Sequence, residues 1–198
     1  MGTKTKELLA NTLVNLMENE YLDKIKVTAL AKACGINRQT FYYHFNDMYE
    51  LVYWMLNNES EQLLASVQDQ ADIVQIFLVF ETYMSKNSKT IQNVYYSLSR
   101  DVLQRFLLDK TSDILRRYIV LQGYARDIDA TVVERVVQFY KHAYVGYVLE
   151  WIRCGMTVDT SLPKDKIALL LGESLRREVL GLEGILQSNR HYQSKREA

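Results

Sequence analysis

Apolar residues return every three or four positions almost throughout this chain, and no segment alternates the way a half-buried strand must. The pattern predicts helices and nothing else. Leu9, Leu13, Leu16 and Met17 form the stripe of a first amphipathic helix. Within residues 27–51 two short helical patterns meet at Gly35, and a longer helix is expected over about 47–67. Further helices are expected near 72–85, 89–108, 109–122, 129–153 and 164–187. One proline and eight glycines leave few breaks, and the polar run 190–198 reads as a frayed tail. The fold class is all-α, a three-helix head followed by a helical bundle.

The two short helices carry the chemistry. Thr28 is a suitable N-cap for a helix reaching about Ala33, because its hydroxyl can accept from an orphan backbone N–H. Leu30, Ala31 and Cys34 give that helix an apolar inner face. Gly35 stands where the chain must turn sharply, Ile36 points inward, and Asn37 is positioned to cap the next helix. Phe41 and Phe45 lie one turn apart and bury one stripe. Asp47 and Glu50 then have the spacing of a capping box. Arg38, Gln39, Thr40, Tyr42, Tyr43 and His44 are left for the outer face. Residues 24–46 hold Lys24, Lys26, Lys32 and Arg38 and no acid. This is the footprint of a helix-turn-helix, whose second helix enters the major groove of DNA.

The order Leu30-Ala-Lys-Ala-Cys-Gly-Ile-x-Arg38-x-Thr-Phe-Tyr-x-His-Phe45, followed by Asp47 and Glu50-Leu51, resembles the DNA-binding head of the TetR family of bacterial regulators. The Arg-Gln-Thr-Phe-Tyr wording, with Trp54 and Glu59 downstream, is similar to the subgroup that includes a dihydroxyacetone-kinase operon activator. The motif covers about the first sixty residues. The resemblance implies a phosphate contact at Thr28, base edges for Arg38, Gln39 and Thr40, and backbone contacts from Tyr42, Tyr43 and His44. The side-chain chemistry agrees, since Arg pairs bidentately with guanine, Gln with adenine, and a Thr methyl meets a thymine methyl. The chain departs at Met48, where the family usually has Lys; one phosphate contact is thereby lost, which bears on affinity more than on specificity.

Charge changes this picture little. The 198 residues hold 24 Lys and Arg against 24 Asp and Glu, for a formal net charge of zero. The acids gather at Glu7, Glu18, Glu20 and Asp23 and beyond Asp47, so the positive potential over the motif is local. Lys32 is a candidate for its phosphate contacts. DNA binding should then be salt-sensitive without being among the steepest cases. A 48% hydrophobic share supports a buried core. Cys34 and Cys154 fit neither a metal nor a disulfide spacing and suit a reducing compartment. The start of the chain lacks the apolar stretch of a signal peptide, and the greasiest run, 73–80, is far too short for a bilayer. The protein therefore reads as soluble and cytoplasmic, with no membrane partner. No catalytic or metal-binding motif appears and no cofactor is expected. His142 has no companion at ligand spacing, with Gln138 and Gly146 one turn away on either side.

Two helices beyond the head invite association. Val133, Val137, Tyr140, Tyr144, Tyr147 and Trp151 line one side of a helix, with Gly155 placed as its C-terminal cap. Pro163 opens the next helix, whose stripe includes Ile167, Leu170, Leu171, Leu175, Val179, Leu182 and Leu186. Both stripes suit ordinary core as well as half of a four-helix dimer interface, for which Tyr147, Trp151, Leu171, Leu175, Val179 and Leu182 are the candidates. Palindromic DNA reading needs two heads about 34–36 Å apart, which argues for a homodimer. Fourteen tyrosines are many for this length. Tyr83, Tyr95, Tyr96, Tyr118, Tyr140 and Tyr144 are candidates to line an effector site, since Tyr combines an apolar face with one hydroxyl.

The combined reading is a transcriptional regulator with a DNA head at 1–50 and a dimerising, regulatory body at 51–198. Its partners would be a double-stranded operator, a second copy, and a small-molecule effector. The alternatives are control by a partner protein, or an interaction module with weakened DNA binding. A helical enzyme is a third, for which no catalytic constellation is present. The sign of regulation, repression or activation, stays open.

Overall fold

The computed structural model describes residues 2–65, 72–97, 100–122 and 129–157, together with residues 169–170, 172–175, 177–178 and 181. Its elements are α1 (Gly2–Met17), a 3-10 turn (Leu22–Lys24), α2 (Val27–Ala33), α3 (Arg38–His44), α4 (Met48–Ala65), α5 (Ile73–Lys86), α6 (Ser88–Tyr96), α7 (Arg100–Leu121) and α8 (Ala130–Arg153). There is no strand among the described residues. The all-α expectation holds. The helix expected over 164–187 lies mostly outside the described residues, and those of its residues that are described are helical.

Two boundaries differ from the sequence pattern. The segments 89–108 and 109–122 do not form two helices meeting at residue 109. Asp109 instead lies inside α7, exposed on its surface, and the break comes at Ser97. There the hydroxyl donates to the Val94 carbonyl (2.7 Å), as does the Ser97 N–H (3.3 Å), so a local side-chain bond displaces the next helical turn. Asn87 punctuates α5 in the same manner, its side-chain amide donating to the Tyr83 carbonyl at 2.9 Å.

The described chain forms two compact units. One comprises 1–69, 79–107 and 149–157; the other comprises 70–78, 108–148 and 158–198. The first has its core beneath α3, where Leu9, Leu13 and Met17 of α1 are buried with Leu30, Phe41, Phe45, Leu51, Val52 and Met55. In the second, Phe77 and Tyr144 stack with ring centroids 4.0 Å apart. Tyr140 and Ser174 share a hydrogen bond of 2.7 Å, and Arg116 forks onto Glu134 at 3.1 and 3.0 Å. That pair is largely solvated and contributes at most about 1 kcal/mol.

α8 ends as its sequence predicts. Gly155 has φ +80°, its N–H reaches the Ile152 carbonyl, and the Met156 N–H reaches Trp151, which is a Schellman closure.

Candidate nucleic-acid interface

The corner between α2 and α3 closes in the same way as the end of α8. Gly35 (φ +66°) donates to the Lys32 carbonyl, and Ile36 donates to that of Ala31. An added Cβ at Gly35 would meet no atom within 4 Å, so the left-handed backbone alone demands glycine here. Asn37 caps α3, its side-chain oxygen accepting from the Gln39 N–H at 3.0 Å.

Two caps differ from expectation. α2 starts at Val27 with Lys26 as its N-cap, and Lys26 makes no side-chain cap bond; the Lys26 carbonyl already accepts from Ala29 and Leu30, which places Thr28 inside the first turn. Thr28 is exposed and free of capping duty. At the start of α4, Asp47 accepts from the Glu50 N–H at 2.8 Å as predicted. The Glu50 carboxylate, however, reaches one residue further back, to the backbone and side-chain N–H groups of Asn46 (2.7 and 2.8 Å).

α3 is divided cleanly into two faces. Phe41 and Phe45 are buried, with ring centroids 6.0 Å apart, and Phe45 packs 5.9 Å from Trp54 of α4. Arg38, Gln39, Tyr42 and Tyr43 are exposed, Tyr43 by 84%, while Thr40 and His44 are half-buried. Lys24, Lys26, Lys32 and Thr28 are exposed in the same corner. The Arg38 guanidinium lies over the Tyr42 ring at 5.2 Å and donates to its hydroxyl at 3.1 Å, which holds the long side chain along the helix surface. The Tyr43 and His44 rings meet edge to face at 5.0 Å. All eight predicted contact residues thus belong to one short corner.

The sequence pattern missed Lys6. Its ammonium group sits over both Phe45 (5.1 Å) and Trp54 (5.8 Å), tying α1 to the end of α3. The N-terminus of α1 runs beside α3, since a Cβ on Gly2 would lie 3.9 Å from His44. Lys6 stands one turn before Leu9 on the edge of the buried stripe, and that position was the available signal.

Tyr83, Tyr95 and Tyr96 belong to the first compact unit and Tyr118, Tyr140 and Tyr144 to the second. Tyr83 lines a cavity of about 30 Å³, together with Leu56 and Ser60 of α4, Met84 of α5, Ile91 of α6 and Phe106 of α7. That is room for about one or two waters. The Tyr83 hydroxyl donates to the Glu59 carboxylate. Burial raises the Glu59 carboxyl above its ordinary value, against the opposing effect of that bond, and burial with the adjacent carboxylate raises the Tyr83 phenol. Tyr95 is buried with Arg100 over its ring at 4.7 Å, and exposed Tyr96 donates to the Arg153 carbonyl at 3.0 Å. Tyr118, Tyr140 and Tyr144 are buried core residues of the other unit.

Of the residues expected at a dimer interface, Trp151 and Leu175 are buried within the single chain and Tyr147 is half-buried. Leu171, Val179 and Leu182 lie outside the described residues. The exposed residues of α8 include Phe139, Ala143 and Gly146, which the pattern did not single out.

A short helix anchored by two buried phenylalanines, outwardly lined with Arg, Gln and Tyr and set behind a glycine corner, defines a helix-turn-helix DNA-binding protein. Residues 14–53 match the family model of bacterial regulatory proteins of the tetR family, and residues 71–171 match that of a transcriptional regulator C-terminal region. The chain belongs to the TetR family of transcriptional regulators, which are DNA-binding proteins and not enzymes. Among curated proteins it is 25% identical over 91 residues to the HTH-type dhaKLM operon transcriptional activator DhaS of Lactococcus lactis subsp. lactis (strain IL1403). That match covers 46% of this chain and 49% of the relative, so it spans about half the relative's length.

Solved structures share the fold. The dihydroxyacetone kinase operon activator DhaS superposes with a TM-score of 0.66 at 19% identity, covering 90% of this chain and 97% of its own. A tetR-family regulator from Streptomyces coelicolor gives 0.52 at 16% identity, covering 95% and 99%. A transcriptional regulator from Rhodococcus sp. Rha1 gives 0.50 at 17% identity, covering 89% and 96%. Among the described residues no helix is long and apolar enough to cross a membrane.

Proposed function

We propose that this regulator acts as a homodimer that reads a palindromic operator through α3, with residues 1–50 as the reading head and 51–198 as the dimerising and regulatory body. The observation that carries this is the division of α3: Phe41 and Phe45 fix the helix, and Arg38, Gln39 and Tyr43 stand in solvent with no fold-holding task that requires them. Arg38 and Gln39 lie at the leading end of the helix, where base edges are met, and Thr40 stands beside them. Thr28, Lys32, Tyr42, Tyr43 and His44 serve the phosphates on either side. Exposed Lys4, two residues after Gly2 on the first turn of α1, joins them as a further cation.

For the dimer, we assign the exposed stripe Phe139, Ala143 and Gly146 on α8, spaced by one turn each, alongside half-buried Tyr147. An apolar ring that is 69% exposed beside two small residues suits close helix packing against a second copy. For control, the body either opens the cavity beside Tyr83 to a small molecule or binds a partner protein. A molecule larger than water enters that cavity only if its lining moves.

Fluorescence anisotropy with DNA from the gene's own upstream region, against a scrambled duplex and across a salt series, tests the reading. Selective, salt-sensitive binding at two protomers per duplex is the expected result. Equal weak binding to both duplexes would remove the operator-reading role.

A further inference from the structure

Asn93 lies on α6, well beyond the DNA head in sequence, yet its side chain is committed to the head. Its amide nitrogen donates to the carbonyls of Met17 (3.2 Å) and Glu20 (2.9 Å), and its amide oxygen accepts from the Leu22 N–H (2.8 Å). The two carbonyls on one side and the N–H on the other fix which end is oxygen. These three backbone groups are orphans: Met17 and Glu20 lie at and just past the end of α1, and Leu22 opens the 3-10 turn. One planar amide thus satisfies the whole corner from which the chain departs for α2 and α3. Beside it, Lys89 of α6 reaches Glu18 at 3.1 Å, a solvated pair of small worth.

The opposite side of α6 is occupied differently. Ile91 lines the cavity next to Tyr83, and two residues along a helix correspond to a rotation of roughly 200°. α6 therefore stands between the cavity and the corner of the head, one face to each.

We propose that Asn93 is a positioning residue of the DNA reader, and that α6 carries the packing state of the cavity to the recognition helix through it. The inference rests on the DNA-reading role of α3. Moving α6 shifts three backbone groups at once, and α2 and α3 follow from that corner with no flexible linker between, since the Leu22 turn runs into α2 within three residues.

The test uses the full-length protein with two substitutions at one site. Asn93→Ala removes all three bonds. Asn93→Asp keeps the size and the acceptor for Leu22 but turns a carboxylate oxygen toward two carbonyls. If Asn93 positions the corner by donating, selectivity for the operator over a scrambled duplex falls about 10-fold in Asn93→Ala and further in Asn93→Asp, with scrambled-DNA affinity unchanged in both. A space-filling role predicts the reverse order, Asp milder than Ala, and that result overturns the proposal, as does wild-type selectivity in both variants. Leu107→Phe, which adds bulk to the cavity lining, should change selectivity in the Asn93 background and not in Asn93→Ala. An equal change in both backgrounds contradicts transmission through Asn93. Should the wild-type protein discriminate between no duplexes, the DNA-reading role falls, and amide hydrogen exchange then judges the clamp. Faster exchange at Leu22 and across α2 and α3 in Asn93→Asp supports it, and wild-type exchange overturns it.

Discussion

Helices α3 and α8 present similar wording to a reader of sequence and use it in opposite ways. Each carries aromatic residues at helical spacing, and each lies next to a glycine with positive φ, Gly35 before α3 and Gly155 after α8. In α3 the aromatic residues are split, Phe41 and Phe45 inward and Tyr42 and Tyr43 outward. In α8 the stripe Val137, Tyr140, Tyr144 and Trp151 is buried in the chain itself, while Phe139, adjacent to it, is left in solvent. Periodicity tells which residues share a face, and it does not tell what covers that face. In α3 the neighbours decide the matter, because Arg38, Gln39 and Asn37 cannot be buried unpaired. In α8 both faces carry apolar residues, so the pattern leaves the choice open.

The largest effect should separate these two faces. Phe41→Ala removes a fully buried ring and is expected to cost about 3–5 kcal/mol in denaturant unfolding. Phe139→Ala should stay within about 0.5 kcal/mol for the isolated chain, yet weaken self-association in sedimentation. A large loss of monomer stability at Phe139 would erase the distinction drawn between the helices.

Arg38→Ala addresses the outer face of α3 alone. Its stacking on Tyr42 is solvent-exposed, so the melting temperature should hardly move. Operator affinity should fall by roughly 1–3 kcal/mol, with relaxed preference at one base position. A loss that is equal for every sequence would reassign Arg38 to a phosphate.

The two glycine closures are comparable in geometry and should respond alike. Gly35→Ala and Gly155→Ala each force a Cβ into left-handed backbone and are expected to cost about 1–2 kcal/mol in thermal unfolding. Only Gly35→Ala should also reduce operator selectivity, because it alone sits at the reading corner.

The smallest effect lies at Glu59. Burial raises its carboxyl above the ordinary 4.5, so the folded chain holds that proton more firmly than the unfolded chain does. The corresponding stability is complete below about that ordinary value and is lost as pH rises through the raised one. Glu59→Gln, which still accepts from Tyr83, should remove this loss and raise stability at neutral pH by up to about 1 kcal/mol after solvent screening. An unchanged pH slope in urea titrations would show that Glu59 is ionised in both states.

Much of the head was legible in the sequence because short-range chemistry fixes it. Gly35, Asn37, Phe41 and Phe45 each act on residues within one turn, and each stands where the pattern put it. The errors there are small shifts: Lys26 rather than Thr28 stands at the N-cap position of α2, without a side-chain bond, and Glu50 reaches Asn46 rather than the N–H of Asp47. The break at Ser97 was hidden because a serine hydroxyl bonding its own helix leaves no compositional mark. Residue type is the one thing the six tyrosines share in the sequence, and the fold divides them three to each compact unit. Asn93 was the least legible of all, since its three partners lie 71 to 76 positions away.

The central claim is that the outer face of α3 selects a DNA sequence as part of a symmetric pair. Selection of bound duplexes from a randomised pool, run in parallel with wild-type protein and Arg38→Ala, tests it most directly. The account predicts a two-fold symmetric motif for wild type, with half-sites about one helical turn apart, and the loss of one matched position in each half for Arg38→Ala. Recovery of no enriched motif, or of the same motif from both proteins, would contradict it.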